Sequence, residues 1–247
     1  MHFSEDLLYE RLVAQSRNFH KVVDFNPSTE KLIRLNFTEE NNDLINLDIR
    51  NIGVFSNYIN KKLESAGAKF AIGGYNENRI LYKAHELFNN KNTKASSFPA
   101  DDEPRFEDRT VHLGIDMWGK AGTKVYAPLG GLVHSFAFNN NYGDYGATII
   151  LMHQMDSLTF YTLYGHLSLD DIAKVSEFQY IVRGHVIGHF GGPEENGYWP
   201  PHLHFQVIKD VRTYKGDYPG VCVSGEREKY LSNCPDPDAI LGMMRYL

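Results

Sequence analysis

The stretch Pro200-Pro201-His202-Leu203-His204-Phe205-Gln206-Val207 decides the fold. Side chains of an extended strand alternate between its two faces, so the pattern predicts His202 and His204 on one face and Leu203 and Phe205 in the core. Two neutral imidazoles on one rigid face suit a zinc ion, which prefers ring nitrogens among its ligands. The motif alone is weak, because histidine has many roles that involve no metal.

Two clusters upstream strengthen the signal: Val111-His112-Leu113-Gly114-Ile115-Asp116-Met117 and Leu163-Tyr164-Gly165-His166-Leu167-Ser168. The ordered trio His-x-Gly-x-Asp, Tyr-Gly-His-Leu and Pro-His-Leu-His-Phe resembles the lysostaphin-type (LytM-domain) zinc metalloendopeptidases, many of which cut peptide bridges in bacterial cell walls. The resemblance covers residues 109–208. Each motif is weak by itself, whereas all three in this order are specific.

The resemblance implies a duplicated hybrid motif fold and one Zn²⁺ per chain. Three residues match the family's metal ligands: His112, Asp116 and His204. A catalytic zinc has three protein ligands and an open position for water. His166 and His202 match the two non-ligand histidines, which implies proton transfer or transition-state stabilisation. Gly114 is expected to let the backbone turn so that both neighbouring ligands reach one ion.

Two further segments bear on substrate access. In residues 192–201, which replace the short turn usual in the family, Tyr198 and Trp199 form either an aromatic wall for substrate or part of the loop packing. The polar loop 73–79 is a tight turn, a wall of a substrate groove, or an occluding segment. In some family members a preceding segment places a polar side chain on the zinc, and three residues are candidates for that role here: Asn76, Glu77 and Asn78.

The composition excludes several classes of protein. The chain has 247 residues and is 42% hydrophobic, enough for a packed core without disulfides. A net charge of -6 argues against a nucleic-acid partner, and no apolar run reaches the about 18 residues that a membrane span needs. The acidic first ten residues predict a cytoplasmic protein, or a periplasmic or extracellular one if a signal segment has been removed. Cys222 and Cys234 are expected to be free thiols, with a bridge only in an oxidising compartment.

The pattern predicts an α+β fold with a mainly antiparallel sheet. In the amino-terminal part we expect helices at residues 4–18 and 51–65 and strands at 31–37 and 80–87. The polar, proline-containing segment 91–108 indicates a connector. We therefore divide the chain into an amino-terminal region that packs on or occludes the site (1–104), a LytM-like domain (105–212) and a docked tail (213–247).

The leading functional hypothesis is a zinc metallopeptidase that hydrolyses a peptide or amide bond with metal-activated water. A peptidoglycan-type or other small peptide is the expected substrate and partner. The alternative is a LytM-like module that binds metal without catalysis, or is occluded by its own amino-terminal segment, and acts in regulation or partner binding. Retention of every ligand position favours the enzyme. The sequence leaves the oligomeric state open.

Overall fold

The computed structural model describes residues 6–84 and 108–247. Most of the predicted connector 91–108 and the first two residues of the helix predicted at 4–18 lie outside these ranges. None of the helices within them has the length and hydropathy that crossing a bilayer requires.

The described residues form strands that match the predicted α+β class. In chain order they are β1 (Leu32–Leu35), β2 (Phe70–Gly73), β3 (Val111–His112), β4 (Ile115–Trp118), β5 (Lys124–Tyr126), β6 (Gly131–Asn139), β7 (Gly146–Met155), β8 (Leu158–Leu167), β9 (Tyr180–Ile181), β10 (Val186–His189), β11 (His202–Ile208) and β12 (Val221–Cys222). The helices are α1 (Leu7–Ala14), α2 (Ile52–Ala66), α3 (Leu169–Ile172), α4 (Arg227–Asn233) and α5 (Asp238–Leu241). Short 3-10 turns occupy Ser16–Asn18, Asn42–Leu44, Ile80–Ala84, Ser224–Glu226 and Met244–Tyr246.

One eight-stranded sheet organises the molecule, in the order β1-β2-β4-β11-β8-β7-β6-β9. Its pairs are antiparallel except for β1 and β2, which run parallel. The predicted α+β fold with a mainly antiparallel sheet is confirmed. Strands β1 and β2 come from the amino-terminal region, so that region extends the sheet beside β4.

Helix α2 has a side-chain cap at its beginning and a glycine at its end. The Asn51 side chain accepts hydrogen bonds from the backbone of Gly53 and Val54, which are otherwise unpaired donors of the first turn. Gly67, at φ 61°, closes the helix in the left-handed conformation. Phe55, Ile59 and Leu63 recur at helical spacing and are buried, as the sequence predicts.

The prediction of a strand at residues 80–87 is wrong for residues 80–84, which form a 3-10 turn. Residues 85–87 lie outside the described ranges. Three-residue periodicity places Arg79 and Tyr82 on one side, where the guanidinium Nη1 donates to the Tyr82 hydroxyl at 3.1 Å. This buried polar contact outweighs the strand propensity of the segment.

The two faces of β11 separate core from site. Leu203, Phe205 and Val207 join the largest apolar cluster, together with Leu12 from α1 and Ile240 from α5. Both cysteines are unbridged and buried, as expected of free thiols. The opposite face of β11 carries His202, His204 and Gln206.

Candidate metal centre

A row of directly paired residues crosses four strands at the centre of the sheet. Gly73 pairs with Asp116, Asp116 pairs with His204, and His204 pairs with Gly165. Directly paired residues of antiparallel strands present their side chains on the same face. The register therefore brings Asp116 and His204 together, although 88 positions separate them in the chain.

His112, on β3, completes a cluster of three donor atoms. Its Nε2 lies 3.0 Å from Nδ1 of His204 and 3.3 Å from Oδ1 of Asp116. The remaining separation, between His204 Nδ1 and Asp116 Oδ1, is 3.0 Å. The three side chains are buried, with 0%, 3% and 2% of their surfaces exposed for His112, Asp116 and His204.

These separations fit a zinc ion. Ligand atoms about 2.0–2.1 Å from a tetrahedral ion lie about 3.3 Å apart, close to the three distances observed. Two imidazole nitrogens and one carboxylate oxygen are also a donor set that suits zinc better than the hard, oxygen-preferring cations. The residues present therefore fit the metal that the sequence implies.

Each donor is oriented by a partner on its far side. The Gly74 carbonyl accepts from Nδ1 of His112 at 3.0 Å, and Oε1 of Gln206 accepts from Nε2 of His204 at 2.9 Å. These bonds place the ring proton away from the cluster and leave a lone pair on each facing nitrogen. Oδ2 of Asp116 accepts from Nη1 of Arg79, which leaves Oδ1 to face the histidines.

The protonation states favour metal binding at neutral pH. Burial, helped by the charge of Arg79, lowers the pKa of His112 to about 4, so the ring is neutral and its lone pair is available. Burial would raise the pKa of Asp116, but His112 and Arg79 outweigh it and hold that pKa well below its ordinary value. The carboxylate is therefore charged.

His202 and His166 lie beside the donor cluster. Their ring centroids are 4.0 Å apart, and that of His166 lies 6.3 Å from His204. His202 stacks on Trp118 at 3.8 Å with an interplanar angle of 16°. Nδ1 of His202 donates to the Pro200 carbonyl and Nδ1 of His166 donates to the Asn196 carbonyl, both at 2.8 Å. Each ring therefore has its lone pair on Nε2.

Both rings are neutral near pH 7. Burial lowers the pKa of His202 to about 4, and burial together with the neighbouring His202 lowers the pKa of His166 well below its ordinary value. His166 also has a strained backbone, with φ 61° in a region that non-glycine residues seldom occupy. Hydrogen bonds from His166 N to Tyr145 O and from Gly191 N to His166 O, of 2.8 and 2.9 Å, hold this conformation.

The two aromatic residues of the 192–201 segment have different positions. Trp199 is 4% exposed, and its ring centroid lies 6.4 Å from those of His166 and His202. Tyr198 is 42% exposed and contacts the ring of Tyr142 at 5.7 Å. Trp199 thus lies at the site, while Tyr198 lies on the surface next to it.

The loop containing Asn76, Glu77 and Asn78 contacts β3 through its backbone. Asn76 N donates to His112 O at 2.8 Å, and His112 N donates to Glu77 O at 3.0 Å. The side chain of Asn76 accepts from Arg227 at 2.6 Å and that of Glu77 accepts from Arg79 at 2.8 Å. Asn78 lines a cavity of about 230 Å³ with Thr38, Glu39, Glu40 and Ile80. These side chains thus contact groups other than the three donor atoms, and Arg79 stands between Glu77 and Asp116.

Sequence reasoning missed two side chains of the site. Gln206 follows His204 by two positions, so the strand period that placed the histidines together was a signal for it as well. Arg79 lies in a loop whose sequence gave no sign that it reaches Asp116, 37 positions away. Outside the site, His153 is buried and its Nδ1 donates to the Gly130 carbonyl at 2.9 Å.

The protein thus belongs to the mainly antiparallel β-sheet proteins, and a buried His-Asp-His cluster on its sheet could hold a metal ion. Residues 110–216 match the family model described as Peptidase family M23. This segment, which contains all three sequence motifs, is therefore similar to that family. No curated protein sequence matches the chain.

Solved structures with similarity to the chain include three peptidases. A zinc containing peptidase from Vibrio cholerae is 26% identical over 46% of this chain and 32% of that chain, with a TM-score of 0.33. The catalytic domain of the antimicrobial peptidase lysostaphin from Staphylococcus simulans is 24% identical over 49% of this chain and 80% of that one, with a TM-score of 0.33. A putative peptidase M23 from Pseudomonas aeruginosa is 22% identical over 53% and 43%, with a TM-score of 0.35. The aligned part spans about a third of the Vibrio cholerae structure.

Proposed function

We propose that the protein is a zinc-dependent peptidase that hydrolyses a peptide or amide bond, with a peptidoglycan-type or other small peptide as substrate. The observation that carries the proposal is the convergence of His112 Nε2, Asp116 Oδ1 and His204 Nδ1 within 3.3 Å of one another. The match of residues 110–216 to a peptidase family supports the same reaction class.

His112, Asp116 and His204 would hold the ion. Bound zinc supplies Lewis acidity toward the scissile carbonyl and lowers the pKa of a coordinated water to about 7. The two imidazoles and one carboxylate leave the loaded site with a net charge near +1, which favours an electron-rich carbonyl oxygen.

His202 and His166 would transfer protons during hydrolysis, as general base and general acid. Since Nδ1 of each ring donates to a backbone carbonyl, each ring can accept a proton only at Nε2. A proton accepted there can be returned to the leaving amine, as general base and then general acid catalysis requires. Stacking on Trp118 fixes the plane of His202, so its Nε2 keeps one direction.

Substrate would approach past the 192–201 segment. Trp199, close to both non-ligand histidines, and the exposed Tyr198 supply aromatic contact area for a peptide. The compartment decides which peptides the protein meets. The sequence predicts the cytoplasm, or the periplasm or exterior if a signal segment has been removed, so the screen below includes cell-wall peptides and ordinary small peptides.

A second candidate function rests on the burial of the donors. His112, Asp116 and His204 expose no more than 3% of their surfaces, as a closed or self-occluded metal site would. In that case the chain would bind zinc and act in regulation or partner binding. Stoichiometric zinc without hydrolysis of any peptide tested would favour this function.

The test begins with metal content. Elemental analysis of the full chain is expected to give about one zinc per chain, and His204→Ala should lose it. The loaded protein is then screened against peptide amides, and His202→Gln and His166→Gln should retain zinc but lose activity by about 10²–10⁴-fold. His185→Gln, a change outside the site, is the control. No zinc in the unaltered chain, even after incubation with the ion and dialysis, would refute the proposal.

A further inference from the structure

Arg79 forms a buried ion pair with the carboxylate of the metal centre. Its guanidinium is 1% exposed and donates from Nη1 to Oδ2 of Asp116. From Nε it donates to Oε2 of Glu77 at 2.8 Å, and Nη1 also reaches the Tyr82 hydroxyl at 3.1 Å. The guanidinium therefore links the donor carboxylate to a second carboxylate outside the cluster.

The surrounding residues leave room for the Arg79 side chain and fix its position. Gly73 is the cross-strand partner of Asp116, and a Cβ built there would lie 2.6 Å from Nη2 of Arg79. The guanidinium also lies over the ring of Phe37, with 5.4 Å between its central carbon and the ring centroid. Arg79 N donates to the Thr110 carbonyl at 2.9 Å, which connects its backbone to the residue just before β3.

The charge of Arg79 is permanent in this setting. A guanidinium stays protonated throughout the pH range in which proteins are folded. A charged donor with fixed planar geometry thus contacts one oxygen of Asp116. A metal-binding carboxylate can offer one oxygen or both, and the oxygen already bonded to Arg79 is the one directed away from the histidines.

We propose that Arg79 is a positioning residue for the metal centre: by holding Oδ2 of Asp116, it restricts that carboxylate to one-oxygen coordination through Oδ1. The proposal rests on the proposed zinc site. It also assigns a function to a residue outside the segment 110–216 that matches the peptidase family. The amino-terminal region would then be a working part of the site and not only a cover for it.

The variants separate positioning from general stability. Arg79→Met removes the charge and the three side-chain hydrogen bonds, to Glu77, Tyr82 and Asp116, while keeping an unbranched apolar stem. Arg79→Lys keeps the charge but offers a single ammonium in place of the planar fork that spans Asp116 and Glu77. Leu12→Ala, in the apolar cluster with Leu203 on the other face of the sheet, is a destabilised control with an intact site.

The measurements are zinc affinity by chelator competition and the visible absorption of the Co²⁺-substituted full chain. Arg79→Met should weaken zinc binding about 10–100-fold, the usual effect of losing a partner that orients a ligand. Its Co²⁺ absorption should also weaken, because coordination by both oxygens raises the coordination number and four-coordinate Co²⁺ absorbs most strongly. Leu12→Ala should match the unaltered chain in both measurements.

The results distinguish this proposal from the proposed function. Zinc affinity and Co²⁺ absorption equal to those of the unaltered chain in Arg79→Met would overturn the role of Arg79 and leave the zinc site intact. No zinc binding by the unaltered chain would refute the zinc site itself. If Arg79→Met does not fold, Arg79→Lys decides: reduced zinc affinity with weaker Co²⁺ absorption supports the proposal, and unchanged values overturn it.

Discussion

The ring of His204 occupies the space in which a side chain at residue 114 would begin. A Cβ built on Gly114 would lie 2.5 Å from Cε1 and Nε2 of His204 and 2.8 Å from the Phe205 carbonyl oxygen. Gly114 is not among the residues with positive φ. Gly114 lies in a bend between β3 and β4, and its lack of a side chain also leaves room for the third donor.

Gly114→Ala should displace the His204 ring and weaken zinc binding about tenfold or more, since a displaced donor no longer meets the other two. The measurement is zinc affinity by chelator competition. Gly192→Ala is the matched control, because the nearest atom to a Cβ at that position is 3.9 Å away. Equal zinc affinities for the two variants would show that the clearance at residue 114 is unimportant.

Gln206→Leu should remove the hydrogen bond that keeps the ring proton of His204 on Nε2. The other contact of that nitrogen, with the Tyr145 hydroxyl, is longer at 3.4 Å. Loss of such a partner typically weakens metal binding 10–100-fold. Gln154→Leu, at an exposed position on β7, should leave zinc affinity unchanged. An unaltered affinity in Gln206→Leu would mean that Tyr145 alone fixes the tautomer.

His153 should make the protein less stable as the pH falls. Burial lowers the pKa of His153 from 6.5 to about 4, so the unfolded chain binds a proton more readily than the folded one between these values. The stability that His153 contributes is present above pH 6.5 and is lost as the pH falls toward 4. By linkage, about 1 kcal/mol should be lost between pH 7.5 and 5.5.

The check is urea unfolding of the unaltered chain and His153→Leu at both pH values. The site histidines titrate in both proteins, so the difference between the two pH dependences isolates His153. Between these two pH values, the unfolding free energy of the variant should change by about 1 kcal/mol less than that of the unaltered chain. Identical pH dependences would contradict the lowered pKa.

Asn51→Ala should destabilise the protein by about 1 kcal/mol, because it leaves the backbone donors of Gly53 and Val54 at the start of α2 without their acceptor. Asn51→Asp keeps an acceptor and should be nearly neutral. Unfolding free energies of the two variants test the cap. An alanine variant as stable as the aspartate variant would show that solvent satisfies these donors equally well.

The sequence by itself determined the strand β11 and the composition of its two faces. Alternation with period two is a local property of extended backbone, so His202 and His204 had to share a face if Leu203 and Phe205 were buried. The order of the three motifs indicated the family that residues 110–216 match. The glycine that ends α2 could also be predicted, because it acts within one turn of the helix.

Only the tertiary structure decided which groups surround the donors. Arg79 and Asp116 meet because β2 pairs with β4 at Gly73, and no local pattern carries that register. The same pairing brings the Gly74 carbonyl to His112. Local periodicity thus specified the ligands, whereas long-range strand pairing specified the charges and hydrogen bonds that orient them.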